Sequence, residues 1–346
     1  MIKNEAPRLI FWEITNRCNL KCQHCRANTS DVPSPDELSL DQMKKFVDGA
    51  ASFGKPIIVL TGGEPLYRSD VFDLAKYING KGLRVALATN GSLIDDKIAQ
   101  KIKDSGIMRV AISLDGAKAK THDSFRMQEG AFDKALKGAK FLPDKGVELQ
   151  INTTVTTNNV DELPQILDLA MEIGAKAFHA FLLVPVGCGL KISKEKEISP
   201  QRYEEVLNWL YDKELEGKIE IKATCAPHYY RIVRQRGSQK HGRGCLAGSG
   251  ICFVSYKGQV QPCGYLPIGA GNIRDQNFRD IWDNSGLFAE MRDPSLLKGK
   301  CGACEYKVVC MGCRARSFGE RGDYLEEEPY CVYNPKEKEF ANESRS

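Results

Sequence analysis

Apolar runs rich in β-branched residues alternate with amphipathic helical stretches through the first half of the chain. Ser39, with Gln42 three residues later, predicts a capping box at the start of the first long helix. Another helical pattern begins near Asn159 and runs through Met171. Repeated strand and helix pairs predict an α/β fold, in which a parallel sheet closes wholly or partly into a barrel. The predicted strands span residues 9–14, 57–60, 83–88, 109–114, 149–155 and 178–184.

The pattern changes after the sixth predicted strand. Ser199 and Pro200 predict the start of a helix with proline at its first position, and a basic stretch follows at 231–243. From Gly244 onward the chain is rich in glycine and carries eight cysteines, with a hairpin-like segment at 252–265. We therefore predict a core barrel, a helical bridge and a small domain that depends on metal for its fold. The predicted boundaries are 1–198, 199–243 and 244–346.

Thirteen cysteines in a chain of 346 residues need an explanation. The N-terminal stretch has no apolar run long enough for a signal peptide, which predicts a cytoplasmic protein with reduced thiols that bind metal. Because no apolar run approaches the roughly 20 residues of a membrane span, we expect no membrane association.

The formal net charge of +4 counts cysteines as neutral. Without a basic stripe that contains interleaved aromatic residues, a nucleic-acid partner is not expected.

Three cysteines follow the first predicted strand with the spacing Cys18-x3-Cys22-x2-Cys25. Three thiolates from one loop would hold three irons of a 4Fe-4S cluster and leave the fourth iron open to bind and reduce a substrate. An electron-transfer ferredoxin or a structural zinc site would use a fourth protein ligand. The spacing therefore favours a catalytic cluster over both of these alternatives.

Three other motifs also directly follow predicted strands: Thr61-Gly62-Gly63-Glu64-Pro65, Thr89-Asn90-Gly91 and Asp115-Gly116. They should therefore lie at the same end of the barrel as the cysteine triad, where the parallel strands finish. Together with the triad they resemble the radical SAM superfamily, in which S-adenosylmethionine (SAM) binds the open iron. The resemblance implies a partial (β/α)6 barrel. Without this context, the glycine-containing motifs would also fit ordinary turns. The SAM-binding residues it implies are His24 before the last cysteine, Gly62, Gly63 and Glu64 at the ammonium group, and Thr89, Asn90, Ser113 and Asp115 at the ribose and carboxylate.

The cysteines of the last hundred residues resemble the SPASM domain, the auxiliary iron-sulfur extension of radical SAM maturases. The resemblance implies one or two auxiliary 4Fe-4S clusters in addition to the SAM cluster. A zinc ribbon is an alternative, although the spacer between its two cysteine pairs would be unusually short. A further alternative is that one auxiliary cluster has been lost, which would leave some of these cysteines without a metal. The ligands implied are Cys245, Cys252, Cys263 and Cys313 for the first cluster, and Cys301, Cys304, Cys310 and Cys331 for the second.

Segments 51–58, 222–230 and 310–316 narrow the resemblance to the heme synthases of the siroheme-dependent heme pathway, and the similarity extends over residues 8–335. This resemblance implies oxidative decarboxylation of two propionates of iron-coproporphyrin III to vinyl groups, giving heme b. The expected partners are a tetrapyrrole substrate and a low-potential electron donor such as a flavodoxin or ferredoxin. A SPASM maturase that oxidises or cross-links a peptide is the alternative, and a non-catalytic electron carrier is disfavoured by the open triad.

Two further residues, Cys225 and His228, lie outside the cluster motifs in segment 222–230. Both side chains are known axial ligands of heme-type iron, so they are candidates for binding the substrate iron. A buried cysteine and a surface histidine are the alternatives. Candidate cations for the substrate propionates are Arg126, Arg231, Arg234 and Arg236, which equally fit a solvated charged face.

Overall fold

A computed structural model describes residues 5–27, 29–238 and 242–335. The outer ends of the predicted domains, Met1 and Ser346, lie outside these residues, and the internal boundaries stay a prediction. Seven strands form a continuous parallel sheet in which each strand pairs with the next along the chain. They are β1 (Leu9–Glu13), β2 (Ile57–Thr61), β3 (Arg84–Thr89), β4 (Ile107–Ser113), β5 (Glu148–Val155), β6 (Ala177–Leu182) and β7 (Glu220–Thr224).

The C-terminal part of the chain extends this sheet on the other side of β1. Strand β8 (Ile251–Val254) pairs parallel with β1, and a hairpin leads to the antiparallel strands β9 (Gln259–Gln261) and β10 (Gly271–Asn272). Within the described residues β7 and β10 are the two edges, so the sheet is open rather than closed. The structure confirms the α/β fold and the six predicted strands. It adds β7, and it shows that the cysteine-rich part shares the sheet of the barrel.

The helices connect the parallel strands and then cover the C-terminal segment. Ser39 caps the first helix as predicted, because its hydroxyl accepts a hydrogen bond from the Gln42 amide while the Gln42 side chain accepts one from the Ser39 amide. The helices are α1 (Leu40–Phe53), α2 (Val71–Gly80), α3 (Asp96–Asp104), α4 (Ala119–Arg126), α5 (Ala131–Asp144), α6 (Leu163–Glu172), α7 (Gly189–Lys196), α8 (Pro200–Leu215), α9 (His228–Gln235), α10 (Phe278–Asn284), α11 (Gly286–Arg292), α12 (Gly299–Ala303), α13 (Lys307–Cys310) and α14 (Arg314–Arg321).

The two faces of the sheet differ in chemistry because side chains alternate along each strand. On the outer face, buried residues such as Ile10 and Trp12 pack against helices, and the Trp12 ring meets the Phe46 ring edge-on at 4.8 Å. On the inner face, the Gln150 amide nitrogen lies 2.7 Å from the Asn152 side-chain oxygen and 3.0 Å from a ring nitrogen of His179. We call the space enclosed by this polar inner face the lumen.

Charged residues tie the strands together at the end of the lumen where they begin. Arg109 in β4 donates hydrogen bonds to Glu148, the first residue of β5, at 2.8 Å and to Glu220, the first residue of β7, at 3.1 Å. The loops that carry the predicted motifs lie at the opposite end, where the parallel strands finish. No helix among the described residues is long and apolar enough to cross a bilayer.

Candidate functional site

The loop after β1 brings Cys18, Cys22 and Cys25 together around Leu20. Cys18 and Cys22 are buried and Cys25 is half-buried. The Leu20 amide donates a hydrogen bond to the Cys18 sulfur at 3.4 Å, and burial raises the pKa of Cys18 to about 12. A buried thiol of this kind becomes a thiolate at neutral pH when a metal ion stabilises the negative charge. The three thiols, gathered on one loop, could therefore hold three corners of an iron-sulfur cluster.

A buried ion pair supports this loop from β4 and α4. One terminal nitrogen of Arg126 lies 3.6 Å from the Cys22 sulfur, and the other lies 2.5 Å from the Asp115 carboxylate. Asp115 also accepts a hydrogen bond from the Thr154 amide at 2.7 Å. Burial opposes the charge of Arg126, but Asp115 and Cys22 raise its pKa above the usual value. Arg126 is thus engaged by the cysteine loop rather than left available for a propionate.

The segment after β2 lies directly against the cysteine loop. The Gly63 amide donates to the Thr15 carbonyl at 2.8 Å, and the Glu64 amide donates to the Arg17 carbonyl at 2.7 Å. A Cβ atom on Gly62 would lie 2.6 Å from the Thr15 carbonyl oxygen, and one on Gly63 would clash with the Arg17 carbonyl. Glycine is required at both positions because the two backbones touch.

Glu64 is fully buried, and its carboxylate orders the ends of β2 and β3. It accepts hydrogen bonds from the Thr89 hydroxyl at 2.7 Å and the Asn90 amide at 2.8 Å. Burial raises the pKa of Glu64. Among the described residues no Lys, Arg or His side chain lies within 4.0 Å of this carboxylate. The ammonium group of SAM, if it bound close by, would supply the missing positive charge.

Polar side chains link the end of β3 to the cysteine loop. The Asn90 amide nitrogen donates to the Asn19 side-chain oxygen at 2.8 Å, and the Asn19 amide donates to the Ser92 hydroxyl at 2.9 Å. Asn19 and Ser92 were not among the residues predicted from the sequence, although Asn19 directly follows the first cysteine. Ser113 is half-buried at the end of β4, beside this network in the order of the strands.

His24 is stacked on Phe125, with ring centroids 4.1 Å apart and an angle of 10° between the planes. Burial lowers the pKa of His24, which keeps the ring neutral. Its Nδ1 atom is buried and has no hydrogen-bond partner among the described residues. An unpaired buried nitrogen within the cysteine loop fits a site that a polar cofactor completes. The roles of these residues in SAM binding stay predictions.

The structure brings together the four cysteines assigned to the second auxiliary cluster, and they line one cavity. Hydrogen-bond donors point at their sulfurs: the Glu328 amide lies 3.3 Å from Cys301, and the Tyr306 amide lies 3.4 Å from Cys304. Such donors commonly surround iron-sulfur clusters and tune them. The four are Cys301, Cys304, Cys310 and Cys331.

The first auxiliary set is only partly brought together. Cys245 and Cys263 pack with the buried Cys313 in an apolar cluster beside the loop after β6, and Cys225 packs in the same cluster. Cys252 instead lies in β8 and packs in the main core. The Cys245 amide donates to the Cys310 carbonyl at 3.0 Å, which connects the two sets. Over the described ranges no three His, Cys, Asp or Glu side chains are arranged around a single metal-ion position.

A buried charged group that was not predicted from the sequence lies between the two cysteine sets. Arg316 and Glu328 are both fully buried and form an ion pair at 3.4 Å. Burial alone would raise the pKa of Glu328, but Arg316, His228 and the Cys313 amide lower it to about 2. Only the pair of arginines in segment 310–316 pointed to this ion pair in the sequence. Their burial could not be predicted, because the residue type does not show whether an arginine is buried.

His228 is the first residue of α9 and is buried, with Nε2 3.7 Å from a Glu328 carboxylate oxygen. Its ring lies 5.1 Å from that of Tyr203. His228 therefore does not face an open surface, whereas Cys225 is half-buried. The role of both residues as ligands of the substrate iron stays a prediction. Arg231 is also occupied, since it pairs with Glu204 at 2.5 Å.

Known proteins match this arrangement of sequence and fold. The Radical SAM superfamily matches residues 12–170, and the SPASM iron-sulfur cluster-binding domain matches residues 245–313. The AdoMet-dependent heme synthase of Methanosarcina barkeri is 52% identical over 96% of this chain and 98% of its own length. That of Oleidesulfovibrio alaskensis is 47% identical over 97% and 90%.

Solved structures agree in fold. The structure of Streptococcus suis SuiB bound to precursor peptide SuiA superposes with a TM-score of 0.78 at 18% identity, over 95% of this chain and 76% of that one. The family matches imply a 4Fe-4S cluster with SAM at its open iron, and auxiliary clusters in the C-terminal region. The chain therefore belongs to the radical SAM superfamily, with a SPASM iron-sulfur domain, in the family of the AdoMet-dependent heme synthases.

Proposed function

We propose that the chain is an AdoMet-dependent heme synthase that converts iron-coproporphyrin III to heme b. The observation that carries this proposal is the 52% identity over almost the full length of a heme synthase. Two propionates of the substrate would each lose carbon dioxide and become vinyl groups. The peptide-maturase alternative has weaker support. Mycofactocin maturases are 31% and 30% identical to this chain over 95% and 98% of its length, and the fold similarity to SuiB comes with 18% identity, which does not identify a substrate.

In this proposal the loop after β1 holds the SAM cluster through Cys18, Cys22 and Cys25. When bound, the cluster and SAM supply a carbon radical that removes a hydrogen atom from a propionate. Gly62 and Gly63 hold the segment after β2 against the cysteine loop, where its backbone would approach the methionyl group, and the buried Glu64 carboxylate would offset the positive charge of that group. Thr89, Asn90, Ser113 and Asp115 order the ends of β3 and β4 around the same space, and Asp115 also holds Arg126 against Cys22.

Conversion of a propionate to a vinyl group removes one electron as well as a hydrogen atom and carbon dioxide, so an electron acceptor must lie nearby. The auxiliary cysteines are suitably placed, because Cys245, Cys263 and Cys313 pack against Val184 and Val186 in the loop after β6. That loop lies at the same end of the sheet as the SAM loop, and the Cys188 amide donates to the Cys25 carbonyl at 2.9 Å.

The lumen offers a cation that fits a substrate carboxylate. Lys222 in β7 is in register with His179, which contacts Gln150 on the inner face, so the three side chains share the lumen. Lys222 is exposed, and desolvation by the surrounding protein lowers its pKa. No described carboxylate lies within 4.0 Å of its ammonium group. A propionate of the substrate would provide that partner.

Replacing Lys222 with Ala should weaken binding of iron-coproporphyrin III about 10- to 100-fold, because a hydrogen bond between charged groups contributes about 1.5–3 kcal/mol. Titration of the substrate Soret band measures the Kd, and Lys222→Arg should retain most of the affinity. Lys218→Ala is the matched control, since Lys218 lies at the surface beside Glu216. Equal affinity of the Lys222→Ala variant and the parent would remove Lys222 from the substrate site.

The activity itself is tested by anaerobic incubation with SAM, a low-potential reductant and iron-coproporphyrin III. We expect heme b with about two SAM cleaved and two carbon dioxide released per heme, and an early three-propionate monovinyl intermediate that then declines, because each propionate is a separate radical reaction. If the preparation cleaves SAM but neither binds nor decarboxylates iron-coproporphyrin III, the heme proposal fails and peptide substrates should be tried in its place.

Two further parts of the proposal concern the setting of the enzyme. The electron that starts each turnover would come from a low-potential carrier such as a flavodoxin or ferredoxin. A cytoplasmic location is proposed as well, because clustered thiols that bind iron must be kept reduced. Reduction of the SAM cluster by either carrier in a reconstituted system would test the first point.

A further inference from the structure

The first auxiliary set contains one cysteine too few once Cys252 is placed in the core. A closed 4Fe-4S cluster uses four thiolates. Three of the assigned residues, Cys245, Cys263 and Cys313, share an apolar cluster with Leu266 and Ala315. The missing fourth thiol can be sought among the cysteines that no cluster motif includes.

Cys225 lies in that same cluster. It directly follows β7, and it packs with Cys245, Cys263 and Cys313. The structure thus assembles four thiols at one place, three from the C-terminal domain and one from the end of the barrel.

The backbone of Cys225 adopts an unusual, left-handed conformation. Its φ angle is +57°, in the left-handed region, where residues other than glycine are uncommon. The strained turn is held by two donors to its carbonyl: the Tyr203 hydroxyl at 3.0 Å and an Arg316 terminal nitrogen at 3.1 Å. A strained conformation held by buried donors is typical of functional positions, where it sets the direction of a side chain.

Cys252 points to the other side of the sheet. It is in register with Ile10 of β1, whose side chain packs in the main core, and Cys252 itself is fully buried there. The next residue, Phe253, faces the opposite way, because the Arg26 guanidinium lies 4.4 Å from its ring centroid. Burial alone raises the pKa of Cys252, and no other thiol contributes. The alternation of the strand therefore separates Cys252 from the cysteine set.

We propose that Cys225, rather than Cys252, is the fourth ligand of the first auxiliary cluster, together with Cys245, Cys263 and Cys313. The cluster would then be closed by four thiolates and would fasten the end of β7 to the C-terminal domain. Cys252 would be a core residue. This inference depends on the iron-sulfur domain of the family and not on the identity of the substrate, so it can fail or hold independently of the heme synthase proposal.

The test counts clusters in the full-length protein. In a Cys18→Ala/Cys22→Ala/Cys25→Ala background only auxiliary clusters remain, and anaerobic iron and sulfide analysis should give about eight irons per chain. Adding Cys225→Ala should lower this to about four, whereas adding Cys252→Ala, the matched control, should leave it unchanged. Loss of a cluster in the Cys252→Ala protein, or full iron content in the Cys225→Ala protein, would overturn the assignment.

A spectroscopic variant covers the case in which Cys225→Ala does not fold. Cys225→Ser replaces the sulfur by an oxygen that can still bind iron, so the EPR signal of one reduced auxiliary cluster should shift while its iron is retained. Cys252→Ser should leave every signal in place. If Cys225→Ser leaves the cluster signals unchanged but moves the Soret band of bound iron-coproporphyrin III, the thiol binds the substrate iron and the proposal is wrong.

Discussion

Replacement of Cys18, Cys22 or Cys25 with Ala should abolish reductive cleavage of SAM. The three thiols are gathered on one loop after β1, with donors from Leu20 and Arg126 on two of them. Loss of one thiolate therefore leaves the cluster with two protein ligands, which are too few to hold it. Production of 5'-deoxyadenosine in the presence of dithionite measures the effect.

The same variants should keep the iron of the C-terminal domain, because its cysteines belong to separate groups that pack elsewhere. Iron analysis should show the loss of about one cluster, that is about four irons per chain. Cys252→Ala serves as the control for cysteine replacement as such, since Cys252 lies in β8 and not in the loop after β1. Wild-type formation of 5'-deoxyadenosine by a triad variant would contradict the assignment of the loop.

The sequence predicted the features that depend on local pattern and spacing. The alternation of apolar runs with helical stretches predicted the six strands β1 to β6, and the spacing of Ser39 and Gln42 predicted the cap of α1. The position of each motif directly after a strand placed it at one end of the sheet, as the contact of Gly63 with the cysteine loop now shows. These features could be predicted because parallel strands bring their ends together whatever the details of packing.

Long-range packing accounts for what the sequence could not provide. The resemblance to the SPASM domain implied Cys252 as a ligand of the first auxiliary cluster, but the sequence does not show which face of β8 carries its side chain. Arg126 was considered for the substrate, yet it bridges Asp115 and Cys22, and Cys22 lies 104 residues earlier in the chain. Contacts of this kind join residues that are distant in sequence, so no local pattern predicts them.

Arg316 is a second residue of this type, and it joins several parts of the fold. Its guanidinium donates hydrogen bonds to the Leu182 and Leu183 carbonyls at the end of β6, at 3.2 and 2.9 Å, and to the Cys225 carbonyl after β7. It also forms the buried ion pair with Glu328, whose amide donates to the Cys301 sulfur. One side chain thus connects two barrel strands with the residues around both auxiliary sets.

Replacing Arg316 with Met should therefore lower the free energy of unfolding by about 3–5 kcal/mol, because it leaves the Glu328 carboxylate buried without its cation. Anaerobic guanidinium denaturation of the holoprotein, followed by circular dichroism, measures the change. Arg321→Met on the same helix is the matched control: its pair with Glu327 is partly exposed and should contribute less than about 1 kcal/mol.

The double variant Arg316→Met/Glu328→Gln separates the charge from the packing. Because the glutamine side chain is neutral but still has an oxygen to accept the Cys313 amide, it should recover part of the stability lost in Arg316→Met. If Arg316→Met and Arg321→Met unfold at the same denaturant concentration, the buried pair does not stabilise the junction. If the double variant is less stable than Arg316→Met alone, the unpaired carboxylate is not the cause of the loss.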